Sequence, residues 1–288
     1  MTSDSGSFRP VDPAEMGIRE RRVEIDTTTP HPARVYDWLL GGKDNFGPDR
    51  EVGERLLTAV PDIRDLVRRN REFINRAVRY LVEDEGIEQI IDVGTGIPTS
   101  PAVHEIARSI NPEARVAYVD NDPIVLAHDT ALLSREEGVV TFLGDLTDPS
   151  SVLDQPEVHE LIDFTRPVAI LFAAVFHFIT DEQDPDGIVA AYRARLVPGS
   201  ALVISHLTTS HRDREAVAEF VGNYQTSAPL VFRADPDIRR LFDGFSLVEP
   251  GMVPLHEWRP DSPDAPVDGS TWASAAVGIR ASGRDVSD

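Results

Sequence analysis

From position 89 onward the sequence alternates short apolar runs with amphipathic stretches, and that alternation leaves few folds open to the chain. Strand-like runs fall at Gln89–Val93, 115–119, Val139–Leu143, 168–175 and 201–205. Helix-like stretches at 101–110, 122–134 and 184–196 lie between them, the first expected to start with Ser100 as N-cap and Pro101 at its first position. Strands alternating with helices of this length build βαβ units around a mostly parallel sheet. Two further runs, 245–248 and 272–279, read as a final antiparallel pair. The expectation is an α/β protein with a seven-stranded, mainly parallel sheet and helices on both faces.

Ahead of this core, residues 1–24 are polar and rich in Pro, Ser and Gly, and read as a mobile tail. Residues 25–84 read as a helical cap, with two short helices broken at Gly41-Gly42 and a longer one over 61–82. In that longer helix, apolar residues recur at Ile63, Leu66, Val67, Ile74, Ala77, Val78, Leu81 and Val82, with Gly86 just beyond. Arginines 64, 68, 69, 71, 76 and 79 fall mostly between these positions and are expected on a solvated face. The core is assigned to 85–281 and a second tail to 282–288, with 25–281 forming one domain.

Charge narrows the partners. Among 288 residues, 49 acidic against 28 basic side chains leave a formal charge of -21, which repels nucleic acid and anionic membranes. There is no cysteine, so disulfides, thiolate metal sites and cysteine nucleophiles are absent together. The first residues hold no apolar signal-peptide core, and the longest apolar run, 168–179, is too short to span a bilayer. A cytoplasmic location is the resulting expectation. Metal motifs fail as well: 182–187 has a calcium-loop rhythm, but Arg193 stands where the closing Glu belongs. His104-Glu105 lacks the second His of a zinc helix.

Function is carried by the strand ends. After the first run comes Asp92-Val93-Gly94-Thr95-Gly96-Ile97-Pro98-Thr99. Glycines there let a ligand approach the backbone, but a lone pair of glycines is a weak signal. The second run ends in Asp120, placed to accept the hydroxyls of an adenosine ribose. The third is followed by Asp145, placed for an adenine amino group, and by Leu146, whose backbone N–H faces the ring. The alternative for Asp145 is a capped turn. Charge then separates two cofactors. NAD brings a pyrophosphate, which Asp92 beside the turn would repel. A sulfonium and an amino-acid end suit that carboxylate.

The segments IIDVGTGIPTSP, VAYVDNDPIVLAH and GDLTDP resemble the first three motifs of class I S-adenosylmethionine-dependent methyltransferases. More narrowly, 25–51, 166–185 and 241–253 are similar to an actinobacterial methyltransferase family formerly described as a domain of unknown function. The resemblance implies a Rossmann-like class I methyltransferase fold. It also implies cofactor contacts from Asp92, Gly94, Thr95, Gly96, Asp120, Asn121, Asp145 and Leu146, and from the backbone of Ala173 and Ala174. One departure is Pro98, at the third glycine position of the first motif.

For the methyl acceptor, His177 and His206, at the ends of the fourth and fifth strands, are candidate general bases; the alternative is that each satisfies a neighbouring backbone group. His31, Arg34, Tyr36 and Lys43 form a candidate lid and substrate contact, with a packed helical hairpin as the alternative. Arg233 is ambiguous between substrate contact and salt bridge. The expected activity is methyl transfer from S-adenosylmethionine to a small molecule. A non-catalytic protein binding that cofactor or its demethylated product is the second reading, and an NAD-dependent oxidoreductase the third. Oligomeric state is not legible.

Overall fold

The computed structural model describes residues 26–127, 136–262 and 270–281. The two expected tails therefore lie outside the described residues, as do positions 128–134 of the helix expected over 122–134; residues 123–127 are helical. The strands are β1 (Gln89–Val93), β2 (Arg115–Asp120), β3 (Val139–Leu143), β4 (Ala169–Ala173), β5 (Ala201–Leu207), β6 (Phe245–Leu247), β7 (Val253–Pro254) and β8 (Ala273–Arg280). They form one sheet in the order β3-β2-β1-β4-β5-β8-β6, with the two-residue β7 pairing on β8. The seven expected strands make up the main path, and β7 is an eighth that its length hides from periodicity.

Strands β1 to β5 run parallel, and β8 enters antiparallel between β5 and β6. Each residue of β1 and β5 is buried, as expected when helices cover both faces of a parallel sheet. Successive side chains go to opposite faces: Ile90, Val116 and Leu171 join one apolar cluster, and Ile91, Ala117 and Ile170 the other. The first face is covered by α1 (Pro32–Leu40), α2 (Gly47–Ala59), α3 (Ile63–Glu83) and α4 (Val103–Ile110). The second is covered by α5 (Pro149–Leu153), α6 (Pro156–Leu161), α7 (Pro185–Arg195) and α9 (Asp235–Arg240), while α8 (Arg214–Asn223) packs beside α2. Helix α4 starts at Val103 and not at Pro101. Its first turn is held by Glu105, whose carboxylate accepts the Ala102 N–H at 2.7 Å, so Ser100 is not the cap.

The break between α1 and α2 falls where the glycines are. Gly41 ends α1 in the left-handed region at φ 88°. A Cβ on Gly42 would overlap the Asp37 carboxylate, which accepts from Asp44 N at 2.9 Å and Asn45 Nδ2 at 2.7 Å.

Helix α3 buries the predicted stripe, and Gly86 follows it at φ 64°. Its arginines do not all face water, however. Arg68 and Arg79 do. Arg76 is buried and donates to the Trp258 carbonyl at 2.9 Å and the Leu255 carbonyl at 2.7 Å. Trp258 is fully buried and meets Phe73 edge-on, with ring centroids 5.4 Å apart. The aliphatic stem of an arginine can cross an apolar stripe and deliver its head to carbonyls lacking a strand partner, which helical periodicity does not register. Replacing Arg76 with Ala strands both carbonyls in the interior. Urea unfolding should show a loss of about 3 kcal/mol, partly recovered in Arg76→Lys.

Candidate functional site

The order in which parallel strands are added reverses between β1 and β4, and ligands of open α/β sheets bind beyond the carboxyl ends at such a switch point. The β1 turn lies there. Gly94 and Gly96 adopt φ 74° and 66°, and a Cβ on Gly94 would overlap the Val175 side chain. Gly94 N and Thr95 N donate to the Val119 carbonyl at 2.7 and 3.1 Å, which pins the turn to β2. Asp120, the last residue of β2, accepts Gly96 N and Asp122 N, each at 2.9 Å. One N–H per oxygen leaves lone pairs on both for a ligand diol.

Asp92 and Asp120 are both buried. Burial pushes the Asp92 carboxyl up to about 6, against the lowering influence of Arg71 and of Thr95, whose hydroxyl donates at 3.3 Å. Burial likewise raises Asp120, against its two N–H donors and His31. Two desolvated carboxylates at one switch point favour a cationic ligand, which would lower both again.

The turn opens on a cavity of about 330 Å³, within the range of small-molecule sites. Each of the ten expected cofactor residues, Asp92, Gly94, Thr95, Gly96, Asp120, Asn121, Asp145, Leu146, Ala173 and Ala174, lines it. Asp145 also fulfils its alternative: its Oδ1 accepts from Thr147 N at 2.8 Å and Thr147 Oγ1 at 2.7 Å. Ala174 holds φ 58°, a strained conformation for a residue with a Cβ, and its N–H meets Ser205 Oγ at 2.9 Å.

The cap residues divide. Tyr36 lines the cavity, donates to the Val67 carbonyl and accepts from Asn70 Nδ2, both at 3.0 Å. Asn70 Oδ1 in turn accepts from Ser205 Oγ at 2.6 Å, so one directional chain joins α1, α3 and the ends of β4 and β5. His31 Nδ1 lies 3.1 Å from Asp122 Oδ2 and 3.3 Å from Ala33 N. It serves Asp122 as a donor or the helix cap as an acceptor, not both at once. Arg34 does not reach the cavity. It is buried in the corner, donating to Asp49 at 3.3 Å and to the Asp26 and Thr29 carbonyls at 2.9 and 2.6 Å. Lys43 is exposed and outside the lining. Both expectations of substrate contact are corrected: Arg34 holds the hairpin, and Lys43 faces water.

The two histidines also separate. His206 lines the cavity, but its Nδ1 lies 2.7 Å from the Leu207 carbonyl and its Nε2 3.0 Å from Arg233 Nη1. A neutral ring donating from Nδ1 and accepting at Nε2 satisfies both neighbours and has no lone pair to spare. Burial pushes its pKa down to about 4. It is not placed as a general base. Arg233 is taken up by His206, Asp181 and the Phe176 and Ile179 carbonyls, so the salt-bridge alternative holds for it. His177 differs: it is 7 % exposed, lines the cavity, and has a buried Nδ1 without a hydrogen-bond partner among the described residues.

Asn70, Arg71 and Ser205 line the cavity without having been singled out as site residues. For Asn70 and Ser205 a signal existed, a polar side chain inside an apolar stripe or strand. Arg71 carried none that set it apart from its neighbours.

The raised Asp92 carboxyl has a measurable consequence. The folded state holds a proton there between the ordinary 3.8 and about 6, where the unfolded chain has lost it. Stability therefore falls as pH rises through that window and levels off above it. Asp92→Asn removes this fall. Denaturation of the ligand-free protein should show the variant gaining over wild type from pH 4 upward, reaching about 3 kcal/mol by pH 7.

The chain matches the S-adenosyl methyltransferase family profile over residues 18–281. Among solved structures it is similar to a Thermobifida fusca protein classed with the methyltransferases, at 38% identity over 89% of this chain and 97% of that one, with a TM-score of 0.85. A DUF574-family protein from Streptomyces avermitilis is similar at 40% identity over 89% of this chain and 100% of that one, with a TM-score of 0.82. Among curated proteins no sequence match is found. Glycine turn, desolvated carboxylates and this family match agree: the chain belongs to the S-adenosyl methyltransferase family, and its cofactor is S-adenosylmethionine.

Proposed function

We propose that the protein transfers the methyl group of S-adenosylmethionine to a small-molecule acceptor bound under the N-terminal helices. The observation that carries this reading is the pair of buried carboxylates, Asp92 and Asp120, opening on a cavity that continues beneath α1 and α3. Bound there, the cofactor supplies an electrophilic methyl group on a sulfonium, whose S–C bonding pair leaves with sulfur as a neutral thioether.

In this reading Asp120 accepts the ribose hydroxyls, and Asp145, Leu146 and Asn121 surround the adenine. Asp92 meets the ammonium of the amino-acid end and Arg71 its carboxylate, while Gly94, Thr95, Gly96, Ala173 and Ala174 present backbone along it. Residues 25–84 act as a cap on the core of 85–281, held by the Tyr36–Asn70–Ser205 chain and by His31 against Asp122. Holding the reactants at attack distance and excluding water supplies most of the catalysis. His177 offers an uncommitted imidazole, and His206 orients the turn beside it through Arg233.

Calorimetry tests the cofactor site. S-adenosylmethionine and its demethylated product should bind and NAD should not; NAD binding with no response to either sulfur compound overturns the reading. Asp120→Ala should weaken both sulfur compounds by about tenfold or more. Methyl transfer from labelled cofactor to a panel of small molecules tests turnover, and inactivity across the panel favours the binding-protein reading.

A further inference from the structure

The cavity has two chemically different ends. Its charged side chains gather on the cofactor side: Asp92, Asp120 and Asp145 stand at strand ends, and Arg71 acts electrostatically on Asp92. The other end lies between α1, α3 and α8. Its walls include Leu39, Leu66, Phe178, Phe220, Tyr224 and Leu230. Phe178 and Tyr224 stack at 6.0 Å with planes 21° apart, and Phe220 lies 6.4 Å from Tyr224. A charged acceptor entering this end would lose its hydration with no charge partner among the named wall residues to replace it. A flat apolar one meets aromatic faces.

A histidine ring interrupts this largely apolar wall. His177 stands edge-on to Phe178 with ring centroids 4.4 Å apart, and its buried Nδ1 has no partner among the described residues. Its carbonyl accepts Val231 N at 2.8 Å, which fixes the histidine turn to the segment carrying Tyr224 and Leu230. An unsatisfied buried nitrogen is costly, and the ring that carries it lines the cavity.

Building on the methyltransferase reading above, we infer that the acceptor is an uncharged aromatic compound whose hydroxyl, the methylated group, donates a hydrogen bond to a ring nitrogen of His177. Burial, His206 and Arg233 hold the His177 ring well below its ordinary pKa, so it is neutral and its lone pair is free at neutral pH. A weak base suffices here. As an oxygen lone pair forms the new O–C bond, the oxygen becomes strongly acidic, and its proton passes to the unprotonated imidazole nitrogen of His177 while the S–C pair stays with sulfur. An aliphatic amine, cationic at neutral pH, lacks both the lone pair and a charge partner at this end.

Three probes of one shape separate the possibilities: 2-naphthol, its methyl ether and 2-naphthoate. Each is titrated calorimetrically into protein saturated with S-adenosylhomocysteine, for wild type and for His177→Phe, which keeps an aromatic ring and removes the acceptor. Naphthol should bind wild type about tenfold more tightly than either other probe. In His177→Phe naphthol should fall to the level of the ether, whose own affinity is unchanged. Naphthoate binding as tightly as naphthol, or undiminished naphthol binding by the variant, overturns the inference. So does binding of S-adenosylhomocysteine with no response to any probe, which leaves the cofactor reading intact. Failure to bind S-adenosylhomocysteine instead strikes the methyltransferase reading itself. A variant that retains that binding is folded at the site, so its naphthol result stands.

Discussion

The Asp120 carboxylate, accepting Gly96 N–H on one oxygen and Asp122 N–H on the other, is the contact on which the rest of the site depends. It ties the turn after β1 to the end of β2, which is possible only because the strands run parallel with Val93 beside Val119. It also brings a second buried carboxyl close to Asp92. Neither carboxylate is stabilised by its surroundings: burial raises both, and the nearby cations do not cancel it. The ligand-free fold thus bears an electrostatic cost at its switch point, the pattern expected where charge is kept for a ligand.

The cap is attached by polar contacts of a different kind. Arg34 gathers Asp49 and two carbonyls within the first hairpin, and Arg76 anchors α3 to the 255–258 segment. Tyr36, Asn70 and Ser205 then fasten both helices to the ends of β4 and β5, where Ala174 is held at φ 58°. These side chains join backbone and side-chain polar groups that belong to separate elements. The acceptor end of the cavity inherits its apolar walls from the same helices, so one packing arrangement both closes the site and sets what it admits.

Much of this was legible beforehand, for identifiable reasons. Strand runs such as Gln89–Val93 announce themselves because a strand covered on both faces must be continuously apolar. Gly41-Gly42 marks the corner because the left-handed region and the Asp37 contact each exclude a side chain. Asp92, Asp120 and Asp145 stand out as carboxylates at strand ends. Arg76 lies off its expected face because periodicity assigns a face to a backbone position, whereas a long cationic side chain carries its charge several bonds from there. For Arg34 the packed-hairpin alternative holds, through a carboxylate on the next helix that local pattern does not reveal. His206 could not be told from His177 by position, since its commitment to Arg233 links residues 27 apart.

The sequence by itself determined the layered sheet, its glycine turn and the carboxylates that face a cationic adenosine ligand, because these follow from local period, turn chemistry and the order of strands. Only the tertiary structure decided which polar residues remain unspent. Arg233 consumes His206, Asp49 consumes Arg34, and Ser205 consumes Asn70, leaving His177 Nδ1 without a partner among the described residues. Those pairings join distant parts of the chain, and no local pattern records which donor will reach which acceptor once the core has closed.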